Sequence, residues 1–584
     1  MPTLISNQLA LLNQLNSNYK QEYESIWRAL ANNDNCVLHP LNNDYRFSDP
    51  AWLAQPFFAW IARFYLLNAQ YILAVFDCID FDCGKGKEKV REKEKIKFII
   101  KQWLAAAAPS NCLVTNPQAL LKLIDSQGAS YANGLSYFMA DSYRGRVSQI
   151  NQHTLKVGQS LATSPGAVVY RNNLIEIIQY QSKKMHVYTR PILIIPPCIN
   201  KYYIFDLRPE NSFVQYALNE GYQVFILSWR NIDQTTAHKT WDDYLIEGVL
   251  SAMDVVHSIS HRQPINTVGF CIGGTLLVSA IAVAAARHEN KVASISLLTT
   301  LLDFKNSGLL NSLIDENWIA HFEKELIKKK KQNAFYDNCF ISGNFLFNFF
   351  SALRPDELIW NFFSTKYLCG QLPKTSDFLH WNDDSANLSI PMFLWYLRYA
   401  YIGNKLVIPK ALQMCDVSFD LALIRALNLP TFIYASKNDH IVPWQNAYRS
   451  CHLLMPELTK KTIKKNNGFD KNNTSQQRRR INFTLGSSGH IAGVINSPLT
   501  LASQRRCYWQ WPENVQEFEA RLPNTADIWL QHAKQYPGSW WPAWFDWLGK
   551  YNHNLCRSPN NLGNVLFQPI AAAPGEYVLN QSQF

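Results

Sequence analysis

Gly269-Phe270-Cys271-Ile272-Gly273-Gly274 decides the reading of this chain. It closes a short strand-like run, Asn266 to Phe270, and opens onto a helix-like stretch of small and apolar residues, Thr275 to Arg287. Glycine on either side of a nucleophilic side chain lets strand and helix approach without Cβ clashes, so the nucleophile can occupy a strained turn above the sheet. At a helix N-terminus the positive end of the dipole favours the thiolate of Cys271. The backbone N–H of Ile272 is positioned to stabilise an oxyanion, and the second donor is expected from the loop Pro196-Pro197-Cys198-Ile199-Asn200. Alone the motif is weak, because Gly-rich turns with a buried Cys are common.

Working outward, Pro191 to Pro196 (PILIIP), Gln223 to Trp229, Val292 to Leu298 and Pro430 to Ala435 read as short buried strands. Helix-like Trp241 to Ser260 precedes the cysteine-bearing strand, and this strand–helix alternation implies a parallel sheet flanked by helices. Such a sheet needs an acid and then a histidine, in that chain order, to complete a nucleophile's triad. Asp439 follows the Pro430 to Ala435 strand, and His490 lies on a Gly-flanked loop after strand-like Phe483 to Gly486. Asp303 also follows a strand and is read as structural. His440 adjoins the acid and cannot easily reach across to the elbow. The fold expected is therefore α/β, an α/β-hydrolase domain over residues 186–584 with a cap insertion at about 304–406. Residues 1–185 are helix-patterned and read as a mainly helical N-terminal domain.

Composition narrows the function. With 584 residues, 47 % hydrophobic and 17 % charged, the chain has ample material for packed cores and not the make-up of disorder. No uncharged apolar run approaches the roughly 20 residues of a membrane helix, and the N-terminus lacks the pattern of a signal peptide. A cytosolic protein is the expectation. The 12 Cys show no metal-ligand spacing and read as reduced thiols, so no metal or cofactor is expected. The net charge of +11 resides almost wholly in residues 84–97, at +4, and 457–480, at +6. Both stretches read as solvated surface insertions, and no nucleic-acid motif accompanies them. A third basic run, Lys328 to Lys331, reads as the solvated end of a helix beginning at Asp315. The Trp540, Trp541, Trp544 and Trp547 cluster is expected to pack between domains.

Cysteine instead of serine at the elbow carries its own hint. An acyl-cysteine is a thioester and keeps the activation of a thioester donor, so it can pass its acyl group downhill to a hydroxyl. An acyl-serine is already an ester.

At these residues the sequence resembles the polyhydroxyalkanoate synthases. The resemblance runs from about residue 50 to 546 and is carried by PPCINKYYI (196–204), VFILSWRN (224–231), TWDDYL (240–245), GFCIGGT (269–275), TTLLDF (299–304), DHIVPW (439–444), GHIAGVIN (489–496) and GSWWPAW (538–544). It implies polymerisation of (R)-3-hydroxyacyl-CoA, with 3-hydroxybutyryl-CoA the expected substrate, into an intracellular polyester with release of CoA. It also implies Cys271 as nucleophile, His490 as general base and Asp439 as acid, the last either orienting His490 or helping to activate the hydroxyl. The long form resembles the single-subunit synthases that prefer short acyl chains and work as homodimers on cytoplasmic polymer granules. One departure is the wide gap between Asp439 and His490, whose excess is the basic stretch 457–480. Two other readings compete: an ester or thioester hydrolase of the same fold, which usually carries Ser at the elbow, and a non-catalytic granule scaffold, for which a missing triad member would have spoken.

Overall fold

A computed structural model describes residues 2–32, 44–79, 87–151, 155–332, 340–455, 481–512 and 522–580. The chain divides into two compact units, Met1–Gln152 with Phe347–Leu379, and His153–Leu346 with His380–Gln583.

The first unit is helical. Pro2–Ala31, Pro56–Cys78, Lys87–Ala106, Pro117–Asp125 and Ala129–Arg144 are its principal helices. Phe47, Trp52, Phe58, Ala59 and Ala62 form one apolar core within it. A buried ion pair joins Lys366 Nζ to Asp141 at 2.6 Å, and the Tyr367 hydroxyl donates to the same carboxylate oxygen. Two expectations change here. The basic stretch is no loop where it is described: residues 87–97 are the opening turns of the Lys87–Ala106 helix, and alternating Lys and Glu are good helix formers. Residues 84–86 and all of 457–480 lie outside the described residues. The helix Pro56–Cys78 is also long and apolar enough to cross a membrane by length and composition, although Arg63 and Asp77 keep it from being an uncharged run.

The second unit is built on an eleven-stranded sheet. In chain order its strands are β1 (Gly166–Arg171), β2 (Ile175–Tyr180), β3 (Ile192–Ile195), β4 (Val224–Trp229), β5 (Ile265–Phe270), β6 (Val292–Leu298), β7 (Thr431–Ser436), β8 (Ile481–Gly486), β9 (Cys507–Gln510), β10 (Lys534–Pro537) and β11 (Ala571–Ala572). Across the sheet they lie in the order β10-β9-β8-β7-β6-β5-β3-β4-β2-β1-β11. From β4 to β8 every pairing is parallel, whereas β1, β2, β9, β10 and β11 pair antiparallel. The central strands are buried along their length, which is why they read as unbroken apolar runs instead of alternating ones. The sheet begins at Gly166, about twenty residues before the boundary expected at 185, because β1 and β2 pair antiparallel and carry no helical crossover to announce them. The expected cap is split as well: residues 347–379 belong to the first unit, and the rest of 304–406 to the second. The basic run Lys328 to Lys331 lies inside the helix Glu316–Gln332, near its end as expected.

Candidate active site

β5 ends at Phe270, and the helix Ile272–Ala286 starts one residue later, leaving Cys271 alone in the turn. Its φ of 53° and ψ of −127° lie in a region that costs a non-glycine residue about 1–3 kcal/mol. Three glycines make that turn possible. A Cβ on Gly269 would stand 2.5 Å from the Gly274 Cα, and one on Gly273 would stand 2.4 Å from the Ile195 carbonyl oxygen. One on Gly274 would meet the Thr300 hydroxyl at 2.1 Å. The helix N-terminus is thereby pressed against the end of β3 on one side and the end of β6 on the other. Cys271 N–H donates to the Leu298 carbonyl at 3.0 Å, and the Thr300 hydroxyl reaches the Cys271 carbonyl at 3.3 Å.

The expected acid and base meet beside it. Asp439 follows β7 with its side chain wholly buried; its Oδ1 accepts from the N–H groups of Ile441 and Val442 at 2.8 and 2.9 Å, which fixes the carboxylate. Its Oδ2 lies 2.6 Å from His490 Nδ1. His490 opens the short helix His490–Val494 after β8, stacks on Phe270 at 5.5 Å between centroids, and offers its remaining ring nitrogen to Cys271. Burial alone pushes an imidazole pKa down, but the Asp439 carboxylate and the neighbouring Cys271 outweigh it and hold His490 at about 10. Cys271, His490 and Asp439 therefore come together despite the 51 residues between acid and base.

Ile272 is the first residue of its helix, so its N–H has no partner within the helix and faces the turn. In the loop after β3, Pro196 and Pro197 have no N–H, which makes Cys198 the first donor available there. Cys198 is buried and near Cys271; burial raises its thiol pKa and keeps it protonated.

Sequence reasoning missed the groups that hold the histidine helix. Trp540 Nε1 and the Tyr434 hydroxyl both donate to the Gly493 carbonyl, at 2.9 and 2.8 Å, and Trp541 Nε1 donates to the Val494 carbonyl at 2.9 Å. The Trp cluster thus packs inside the second unit, not between domains, and it braces the element that carries His490. Arg506 adds two bonds to the same segment, to the Ala492 carbonyl and the Asn496 side chain. The half-buried Tyr396 and the buried Tyr401, which interact electrostatically with Cys271, were missed too.

The fold and site define a class: an α/β-hydrolase-type sheet whose elbow carries cysteine, with an Asp–His pair beside it. A family model described as the alpha/beta hydrolase fold matches residues 191–468, and one described as the Poly-beta-hydroxybutyrate polymerase (PhaC) N-terminus matches residues 43–217. The poly(3-hydroxyalkanoate) polymerase subunit PhaC of Cupriavidus necator is 38 % identical over 569 residues, 97 % of this chain and 88 % of that protein. Poly(3-hydroxyalkanoate) polymerase 2 of Ectopseudomonas oleovorans is 33 % identical over 93 % of this chain and 88 % of its own length. The PhaC subunit of Rhizobium meliloti is 30 % identical over 92 % and 79 %. This chain belongs to the poly(3-hydroxyalkanoate) polymerase family, a family of acyltransferases.

Proposed function

We propose that this chain polymerises (R)-3-hydroxyacyl-CoA, with 3-hydroxybutyryl-CoA the preferred monomer, through a covalent acyl-cysteine. The observation that carries the reading is the Cys271–His490–Asp439 arrangement at the ends of parallel strands in a chain of this family. His490 takes the thiol proton of Cys271, and the thiolate attacks the thioester carbonyl. The oxyanion that forms is met by the N–H groups of Ile272 and Cys198. The carbon–sulfur bond to CoA breaks, and the leaving thiolate takes the proton held on His490. A second hydroxyl then attacks the acyl-cysteine; its proton passes to His490 as the C–O bond forms and the thiolate returns to Cys271. Asp439 orients His490 and stabilises the imidazolium, because its Oδ2 is engaged with Nδ1 and its Oδ1 with two backbone N–H groups. We infer that the chain works as a homodimer at the surface of cytoplasmic polymer granules, a reading its family membership supports.

The test is CoA release from (R)-3-hydroxybutyryl-CoA, with the product sized, for wild type and Cys271→Ala. High-mass polyester from wild type alone is expected. CoA release with only free hydroxy acid would make the chain a thioesterase and overturn the reading.

A further inference from the structure

Trp229 ends β4 with one polar atom in its side chain, the indole N–H, which donates and never accepts. The residue is 5 % exposed, so that donor needs an acceptor inside the protein. It takes the Pro196 carbonyl at 2.9 Å, just beyond the end of the neighbouring strand β3. The ring has little freedom to turn away. Tyr244 packs against it at 5.1 Å between centroids, and a Cβ on Gly248 would stand 2.8 Å from two of its carbons. Both residues come from the stretch Tyr244–Leu250, wound as a π-helix.

The same carbonyl touches the elbow. A Cβ on Gly273 would stand 2.6 Å from the Pro196 oxygen and 2.8 Å from its carbonyl carbon, so the first turn of the cysteine helix and the indole grip one peptide between them. Two residues further on is Cys198, buried, whose N–H meets no backbone carbonyl among the described residues. Buried N–H groups without an acceptor are rare in folded proteins, and one so close to the elbow is placed to receive a substrate oxygen. Beyond it the Lys201 carbonyl accepts from Trp381 Nε1 at 2.7 Å. The segment carrying the Cys198 N–H therefore runs between two carbonyls, each held by a buried indole.

We propose that Trp229 is the positioning residue of the oxyanion hole: its N–H holds the Pro196 peptide against the cysteine helix and so sets the separation between the N–H groups of Ile272 and Cys198. The proposal rests on the acyl-cysteine reading above and adds the side chain that spaces its two donors. As the Cys271 sulfur bonds to the thioester carbon, the carbonyl electron pair moves onto oxygen, and both N–H groups must lie within hydrogen-bond reach of it. The pair then returns, the bond to the CoA sulfur breaks, and His490 gives that sulfur its proton. Trp229 acts only through the Pro196 peptide, which without the indole N–H loses the donor that keeps it at the elbow.

The experiment compares wild type with Trp229→Phe and with a full-size analogue, benzothienylalanine, placed at position 229, in which sulfur stands where the indole N–H was. Two rates are read: single-turnover CoA release from (R)-3-hydroxybutyryl-CoA, and alkylation of Cys271 by iodoacetamide, followed by the mass of the peptide that carries it. Both need the Cys271 thiolate, but only the first builds an oxyanion. CoA release should fall about tenfold to hundredfold in both variants, short of the roughly 10²–10³-fold lost when such a donor is removed outright. Alkylation should stay at the wild-type rate. The analogue keeps the volume of the ring, so a fall in Trp229→Phe alone would assign the residue to packing and overturn the proposal. Equal falls in both rates would overturn it too, as would unchanged CoA release. Wild type that releases CoA but forms only free hydroxy acid would overturn the polymerase reading and leave this comparison standing, because acylation precedes both fates. Wild type that releases no CoA would overturn both.

Discussion

His490 meets Asp439 at 2.6 Å through Nδ1 and Cys271 through its other nitrogen, so its protonated form is held by two acidic partners. An unfolded imidazole titrates near about 6.5, and the folded one at about 10. The stabilisation this shift represents is fully present below pH ~6.5 and is lost as the pH rises through about 10. Asp439→Asn removes the larger upward push and leaves the downward push of burial. It should lower the alkaline limb of the pH–rate profile and reduce kcat by about 10²–10⁴-fold, the range lost when a proton-transferring group is misplaced. Urea unfolding at pH 6, 8 and 10 should show the gap between wild type and variant narrowing as the pH rises. A variant with the alkaline limb of wild type would show that Asp439 does not set the charge on His490. The three residues of this site were legible in the sequence because each follows a strand on a turn with its own local signature. Tyr396 and Tyr401 were not, because a spacing of five fits neither the helical nor the strand period, and only the π turn puts them together.

The elbow is an element whose geometry depends on absent side chains. Gly273 packs against the carbonyl oxygens of Ile195 and Pro196, and these are backbone atoms that cannot swing aside. Gly273→Ala should therefore separate the helix N-terminus from the end of β3, costing about 1–3 kcal/mol by overpacking. The same movement would pull the Ile272 N–H away from that of Cys198. Loss of kcat beyond the loss of stability is expected, measured as single-turnover CoA release beside a urea midpoint. A stable variant with wild-type turnover would mean that the close approach is not needed. The strand-to-helix junction could be read from the sequence because glycine spacing and apolar runs are local signals. The bracing of His490–Val494 by Trp540, Trp541 and Tyr434 could not, since those partners lie 47, 47 and 59 residues from the carbonyls they bind. The strands β1 and β2 were missed for a related reason: a short antiparallel pair has no crossover helix to mark it.

Across the second unit, the far end of the chain is tied to the loop that starts beside the elbow. β11 pairs with β1, and beyond it the N–H groups of Glu576 and Tyr577 donate to the buried Glu176 carboxylate, with Tyr577 at 3.0 Å. Glu176 is also paired with Arg171 at 2.6 Å, so it keeps one partner if the tail is lost. Lys201, buried in the loop after β3, donates to the Asn580 carbonyl at 2.5 Å and reaches that of Tyr577 at 3.5 Å. The opposite side of that loop is held where Trp381 Nε1 donates to the Lys201 carbonyl at 2.7 Å. Ending the chain after Ala573 should thus leave the Lys201 ammonium without its carbonyl acceptors, and hydrogen bonds to a charged group are worth about 1.5–3 kcal/mol. The urea midpoint should fall, and kcat should fall with it, because the loop holding Lys201 also carries Cys198. Replacing the lysine by an apolar residue of similar length separates charge from mere loss of contact. In the shortened chain Lys201→Met should recover part of the lost stability, whereas in the full-length chain the same substitution should destabilise. Opposite signs in the two backgrounds are the expected coupling between contacting residues. A shortened chain with the wild-type midpoint, or a Lys201→Met effect of one sign in both, would show that the tail does not hold this loop.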